Sequence, residues 1–146
     1  MCYGSGCRVS FSNCTFKRCS VVALCGSHVT VDNCTFAARA DVAEGIAVYA
    51  CGAGTLVHMT TVDISGGAQG VAVHGGACVF CSKLAVSHCF VTGVETMGES
   101  SSVDLSDCTI SDFSRCYASC GVCAPPVASV ASVHSCLLYT SPSPRD

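Results

Sequence analysis

A degenerate pattern of apolar residues recurs along most of the chain. With Cys34 as reference position 0, apolar side chains stand at offsets −5, −3, 0 and +2, namely Val29, Val31, Cys34 and Phe36. The same offsets are apolar in the segments 9–16, 57–64, 84–91 and 103–110, with reference residues Cys14, Val62, Cys89 and Cys108. A unit that repeats every 19 to 28 residues predicts a solenoid, in which each coil stacks on its neighbours.

The offsets also predict the shape of one coil. Side chains alternate along a strand, so the odd step from −3 to 0 requires a corner between two inward-facing pairs. Two polar residues occupy this corner in each copy: Ser12-Asn13, Asp32-Asn33, Thr60-Thr61, Ser87-His88 and Ser106-Asp107. The residue between 0 and +2 is predicted to face outward, and it is polar in every copy except the fourth, where it is Phe90. Each copy is therefore predicted to contain two short strands with their apolar faces inward.

A third short strand completes each predicted coil. Residues 45–49 and 70–74 show it most clearly, and residues 21–24 and 94–97 are weaker versions. Glycine-containing turns follow several of these strands, at 25–27, 51–54 and 75–77, and glycine suits turns that need a positive φ. Three strands per coil predict an all-β parallel β-helix of about five to six coils.

These features resemble the right-handed parallel β-helix proteins with a pectate-lyase-like fold. In that family a two-residue corner, often with stacked Asn, joins the second and third strands, and Asn13 and Asn33 match it. Thr61, His88 and Asp107 depart from the pattern, so the resemblance implies only a short asparagine ladder. It covers about residues 4–123 and is specific for fold rather than function.

The amino-acid composition argues against some classes of binding partner. The 146 residues carry a formal net charge of −3, and 12% are charged, which argues against a nucleic-acid partner. Half of the residues are hydrophobic, yet no apolar run is long enough to predict a transmembrane helix. No signal peptide is visible, and we expect Met1 to be an internal methionine of a longer protein, so the sequence leaves the compartment unknown.

The C-terminal segment and one insert depart from the repeat. Residues 136–146 break the periodicity and resemble one reading frame of a transposon-type sequencing adapter. We therefore predict a β-helix fragment over residues 1–135 and an artefactual tail over 136–146 that is not part of the fold. The insert 37–44 is rich in helix formers, so either one or two helical turns or an irregular loop is expected there.

Cysteine is the most conspicuous residue type, with 15 copies. Cys14, Cys34, Cys89 and Cys108 occupy reference positions, where a buried thiol serves as a small apolar side chain. A Cys14–Cys34 disulfide between adjacent coils is geometrically allowed but would compete with regular stacking. The pairs Cys78/Cys81 and Cys120/Cys123 raise zinc binding as an alternative, but the four thiols would have to converge. We predict packing, with no metal site and no cofactor.

In related lyases and hydrolases, the groove along the first strand of each coil binds the polysaccharide. The resemblance places Ala47, Tyr49, Ala72, His74 and Glu95 on that outward face, with Tyr49, His74 and Glu95 as the candidate ligand-groove residues. Glu95 is the one carboxylate among them, whereas glycosidase chemistry needs a facing pair. No catalytic residue is predicted from this arrangement.

Two functional hypotheses remain open from the sequence. The first is a non-catalytic solenoid with a binding or structural role, with an extended glycan as a candidate ligand. The alternative is a fragment of a carbohydrate-active β-helix enzyme, lyase-like or hydrolase-like, whose catalytic coils are missing. Because open solenoid ends expose unpaired strand edges, we also predict that the isolated chain self-associates.

Overall fold

The computed structural model describes residues 1–38, 45–111, 120–123 and 130–138, which form an all-β solenoid of about five turns. The described strands are β1 (Cys2–Tyr3), β2 (Arg8–Ser12), β3 (Thr15–Lys17), β4 (Val21–Leu24), β5 (His28–Ala37), β6 (Ile46–Cys51), β7 (Leu56–Ser65), β8 (Gln69–His74), β9 (Cys78–Ser87), β10 (Thr92–Met97), β11 (Ser102–Ser106), β12 (Thr109–Ser111), β13 (Cys120–Cys123), β14 (Val130–His134) and β15 (Leu137–Leu138). The predicted fold class is confirmed.

All strand pairings in the described residues are parallel, and they build two sheets. The smaller sheet has the order β1-β4-β6-β8-β10-β13. The other sheet, here called the bent sheet, has the main order β14-β11-β9-β7-β5-β2, and β3, β12 and β15 extend it. Each coil therefore contributes one strand to the smaller sheet and one long or divided strand to the bent sheet.

The predicted corner lies within the bent sheet. Strand β5 runs through it, and its burial alternates on both sides of Asn33, with Val29, Val31, Cys34 and Phe36 all buried. Asn33 has a φ of 48°, a left-handed conformation that turns the chain and restores the inward direction of the next side chain. The offsets −5, −3, 0 and +2 thus describe the inward face, as the sequence predicts.

The fourth coil departs from the predicted register. Leu84 pairs with Val62 and Val86 pairs with Ile64, so these residues stand at positions 0 and +2 instead of −5 and −3. Val79 and Cys81 take the earlier inward positions. The corner is therefore Ser82-Lys83, where Lys83 has a φ of 56°.

The prediction of Ser87-His88 as this corner, and of Val91 as an inward residue, was wrong. Val91 is 36% exposed. Cys89 is fully buried but follows the end of β9 instead of occupying the reference position. The error arose because Leu84 and Val86 are apolar in either register. The corrected outward residue between 0 and +2 is Ala85, which lies between Asp63 and Thr109, so Phe90 is no longer an exception.

The third strands follow the prediction closely. Strand β4 has the predicted bounds, β6 begins one residue later and ends two residues later than predicted, and β8 and β10 begin one and two residues earlier. Their inward residues include Val48, Val71 and Val94, each with no exposed area. Their apolar side chains meet those of the bent sheet in one continuous core.

The predicted asparagine ladder consists of one hydrogen bond in the described residues. The side-chain nitrogen Nδ2 of Asn33 donates to Oδ1 of Asn13 at 2.6 Å. Both residues have left-handed φ values, which Asn tolerates better than most residues. The later corners place Thr61, Lys83 and Asp107 at the same point with φ values of 53°, 56° and 53°.

The insert and the tail are only partly described. Ala37 ends β5, and residues 39–44 lie outside the described residues, together with the predicted helical turns. Strand β15 pairs with β12, and Cys136 packs against the core, whereas residues 139–146 also lie outside the described part. The foreign origin of residues 136–146 and the domain limit at residue 135 stay predictions.

Candidate functional site

Tyr49 and His74 lie together on the outward side of the smaller sheet. The hydroxyl oxygen Oη of Tyr49 is 3.5 Å from Nδ1 of His74. Their ring centroids are 5.2 Å apart with an interplanar angle of 83°, an edge-to-face contact. The thiol of Cys51 beside the Tyr49 hydroxyl, followed by burial, raises the pKa of Tyr49. Two of the three predicted groove residues are therefore in direct contact.

Glu95, the third predicted groove residue, has a different partner. It belongs to the outward row Val22, Tyr49, Ala72 and Glu95, whose members are register partners across successive strands. Its Oε2 accepts a hydrogen bond from Nε2 of Gln69. Ala72 therefore stands between Glu95 and Tyr49, and the bond to Gln69 fixes the only carboxylate of this row.

Ala47 does not face the predicted groove. It is half-buried and packs against the core, and the residues on either side of it, Ile46 and Val48, pair with Gln69 and Val71. A Cβ placed on Gly70 would likewise meet Cγ1 of Val86, a core residue, at 2.7 Å. The outward and inward directions therefore change near the start of these strands, which strict alternation could not predict.

A second outward face lies on the bent sheet, and it is more polar. We call it the His58 face. It consists of two neighbouring rows of register partners: Ser10, Thr30, His58, Phe80 and Asp104 in the first, and Ser12, Asp32, Thr60, Ser82, Ser106 and His134 in the second.

The centre of the His58 face is an aromatic pair. The rings of His58 and Phe80 stack with centroids 5.0 Å apart and an interplanar angle of 13°. Phe80 is 41% exposed, which is unusual for a large apolar side chain in the middle of a sheet. A shallow groove of about 400 Å³ follows this face, lined by side chains that include Phe80, Asp104, Ser106 and His134.

Sequence reasoning missed the His58 face because of the register error in the fourth coil. In the corrected register Phe80 stands at offset −4, directly beside His58 at offset −4 of the preceding coil. The signal that could have found it is an aromatic residue at an outward offset where the other coils carry Ser, Thr, His or Asp.

The four cysteines that were predicted to pack in the core do so. Cys34, Cys89 and Cys108 are buried, and the half-buried Cys14 packs against the core. Cys14 and Cys34 are free thiols, so the allowed disulfide between them is not formed. A disulfide joins Cys2 to Cys7, which the sequence reasoning missed, although the intervening Gly4-Ser5-Gly6 is a typical turn sequence.

The two Cys-x-x-Cys pairs belong to strands of different sheets. Cys78 and Cys81 belong to β9 of the bent sheet, whereas Cys120 and Cys123 belong to β13 of the smaller sheet. Within the described residues, no group of three or more His, Cys, Asp and Glu side chains could hold a metal ion.

Burial lowers the reactivity of the core thiols by raising their pKa values. It raises the pKa of Cys89 to about 11, and it raises the pKa of Cys108 to about 11 against the lowering effect of a backbone hydrogen bond with Leu84. Burial also raises the pKa of Cys81 well above its ordinary value, with smaller contributions from neighbouring groups, first Cys108. These thiols therefore stay protonated near neutral pH and are poor nucleophiles.

The stacked parallel strands and the repeated corner define a β-solenoid. The family model of the right-handed beta helix region matches residues 1–139. The chain therefore belongs to the right-handed β-helix family. The match does not test the narrower pectate-lyase-like resemblance, which stays a prediction. No curated protein and no solved structure matched the chain significantly. Among the described residues, no helix has the length and apolar character needed to cross a bilayer.

Proposed function

We propose that this chain is a non-catalytic binding segment of a β-helix protein and that the His58 face recognises an extended neutral glycan. The observation that carries the proposal is the exposed Phe80 ring, stacked on His58 and aligned with Asp104 in one groove. Aromatic rings accept the C–H faces of sugars, and nearby polar groups fix orientation and specificity.

The aromatic pair is suited to act as a fixed platform. His58 stacks on one side of Phe80, and Asp104 is the register partner of Phe80 on the other side. The contact with His58 restricts the Phe80 ring before a ligand binds, which reduces the entropy lost on binding. A sugar ring placed toward Asp104 would find both an apolar surface and a hydrogen-bond acceptor.

The polar rows explain why the ligand should be extended and neutral. Neighbouring strands repeat about every 4.8 Å, so the Ser and Thr hydroxyls of the second row recur at regular intervals along the solenoid. The two rows contain Asp32 and Asp104 and no Lys or Arg. A polyanionic chain would therefore meet like charge, whereas a neutral polysaccharide would meet repeated hydrogen-bonding groups.

The enzyme alternative has no closely spaced carboxylate pair to support it in the described part of these two faces. On the His58 face, Asp32 of β5 and Asp104 of β11 are separated by β7 and β9, which is about 14 Å at the usual strand spacing. Glu95 belongs to the smaller sheet and is held by Gln69, whereas Asp104 belongs to the bent sheet. Two-carboxylate hydrolysis needs both groups on opposite sides of one glycosidic bond. An assay for new reducing ends on any bound polysaccharide separates the alternatives, since the binding proposal predicts none.

Binding to soluble β-glucan, mannan and polygalacturonate tests the proposal, with Phe80→Ser as the diagnostic variant. We expect one neutral polymer to bind, polygalacturonate to bind weakly or not at all, and Phe80→Ser to weaken binding at least tenfold. The control is Tyr49→Ser, which removes an aromatic ring from the other outward face and should leave the affinity unchanged. The reverse result would move recognition to the predicted Tyr49, His74 and Glu95 groove and overturn the proposal, as would failure of both neutral polymers to bind.

A further inference from the structure

Three side chains with soft or borderline donor atoms form a straight row on the smaller sheet. Cys51 is the register partner of His74, and His74 is the register partner of Met97. The three residues end β6, β8 and β10, so they stand on adjacent strands about 4.8 Å apart. Thiol, imidazole and thioether thus occupy equivalent positions in three successive coils.

The turns that follow hold these strand ends in line. The amide of Gly52 donates to the carbonyl of His74 at 3.2 Å, and the amide of Gly75 donates to the carbonyl of Met97 at 3.2 Å. A Cβ placed on Gly75 would lie 3.5 Å from Sγ of Cys51. The Cys51 thiol therefore lies close to the next coil, next to Gly75, which follows His74 in the chain.

Tyr49 orients the His74 ring through one of its two nitrogens, and the second nitrogen is without a hydrogen-bond partner among the described residues. Nδ1 of His74 is 3.5 Å from Oη of Tyr49. Nε2 is buried and has no hydrogen-bond partner among the described residues. When Nδ1 carries the proton and donates it to Tyr49, Nε2 keeps a free lone pair. A hydrogen bond at one ring nitrogen that fixes the other as a donor atom is the usual arrangement at histidine metal sites.

We propose that Cys51, His74 and Met97 form a binding site for a soft monovalent metal ion, Cu(I). Thiolate and thioether sulfur select Cu(I), and imidazole suits copper as well. Thioether sulfur is not among the usual ligands of zinc. On binding, the Cys51 thiol releases its proton to solvent and a sulfur–copper bond forms, with no change in oxidation state. The site lies on a different sheet from the His58 face, so it is independent of the glycan proposal.

Anaerobic titration of the full chain with Cu(I) against a competing chromogenic chelator tests the site. We expect Met97→Leu and His74→Gln each to weaken the tightest-bound ion at least tenfold. Met97 is 45% exposed, so the similarly sized Leu should leave the fold intact, which circular dichroism would verify. Cys19→Ser is the control, because Cys19 is an exposed free thiol that precedes β4 and should not affect this ion.

A second readout follows His74 directly. Ag(I) is a diamagnetic surrogate for Cu(I), and its binding should shift the ¹⁵N resonance of Nε2 of His74 while Nδ1 changes less. Cu(I) binding that is unchanged in both Met97→Leu and His74→Gln would mean that other thiols hold the ion adventitiously, and it would overturn the proposal. An Nε2 resonance that does not respond to one equivalent of Ag(I) would also overturn it.

Discussion

The hydroxyl of Thr55 connects two successive turns of the solenoid by hydrogen bonding to the backbone of Gly26. Oγ1 of Thr55 accepts a hydrogen bond from the Gly26 amide at 3.0 Å and donates one to the carbonyl of Cys51 at 3.0 Å. Ser101 repeats this arrangement two coils later, between the Gly76 amide at 3.0 Å and the Met97 carbonyl at 2.8 Å. These hydroxyls satisfy backbone groups in the stacked turns.

We predict that Thr55→Val lowers the free energy of unfolding by about 1–3 kcal/mol, because the Gly26 amide loses its hydrogen-bond acceptor. The Cys51 carbonyl keeps the hydrogen bond that it accepts from the Cys25 amide at 3.1 Å. Ser27 provides a matched control at the equivalent position of the preceding coil. Its hydroxyl is buried and has no partner among the described residues, so Ser27→Ala should be neutral or slightly stabilising. Urea denaturation measures both, and an equal loss in the two variants would contradict the role given to Thr55.

The corrected register of the fourth coil predicts opposite effects for two valines. Val79 is 1% exposed, so Val79→Asp places an unpaired charge in the core and should unfold the chain. Val91 is 36% exposed, so Val91→Asp should leave the circular dichroism spectrum unchanged. A chain that tolerates Val79→Asp and unfolds with Val91→Asp would restore the register in which Val91 faces inward.

Gly70 gives a prediction in which the sign of the effect is diagnostic. A Gly→Ala change at a compatible position usually stabilises a protein by about 0.4–1 kcal/mol, because it restricts the unfolded chain. A Cβ on Gly70 would lie 2.5 Å from the carbonyl oxygen of Gly93 and 2.7 Å from Cγ1 of Val86. We therefore expect Gly70→Ala to destabilise the fold by about 1–3 kcal/mol in thermal or urea unfolding. A stabilised variant would refute the close approach of these strands.

Stability should fall at high pH because of the buried thiols. The pKa of Cys89 is raised to about 11 in the folded chain, so folding favours its protonated form. Its contribution is fully present below the pKa of the unfolded thiol, and it is lost as pH rises toward 11, by about 1.4 kcal/mol for each unit of pKa difference.

Unfolding measured from pH 8 to 11 should show this decline, and Cys89→Ala should make it shallower. The control is Cys19→Ser, because Cys19 is an exposed free thiol whose removal should leave the pH dependence as it is in the parent chain. A decline of equal steepness in the Cys89→Ala variant would show that other groups cause it.

The coil could be predicted because inward positions are set by apolar side chains and the corner by their odd spacing. The register of the fourth coil could not be predicted, because Leu84 and Val86 fit either the positions −5 and −3 or the positions 0 and +2. Only their pairing with Val62 and Ile64 decides between these two registers. Because the register of the fourth coil was wrong, Phe80 was not recognised as an outward-facing residue. Tyr49 and His74 were placed on the correct face, but their contact with each other depends on rotamers that spacing does not specify.

The row formed by Cys51, His74 and Met97 could not be recognised from the sequence for a different reason. Thiol and thioether side chains occur both in cores and at metal sites, so composition alone favours the packing role. The row becomes visible only when the strand ends are aligned across three coils.

Recognition of a neutral polysaccharide by the His58 face can be tested by locating the bound polymer on the solenoid with amide hydrogen exchange. We expect the neutral polymer that binds most tightly to slow exchange in residues 56–65 and 78–87, which carry His58 and Phe80. Residues 46–51 and 69–74 should remain unchanged. Protection confined to these latter strands, or no protection with either neutral polymer, would contradict recognition by the His58 face.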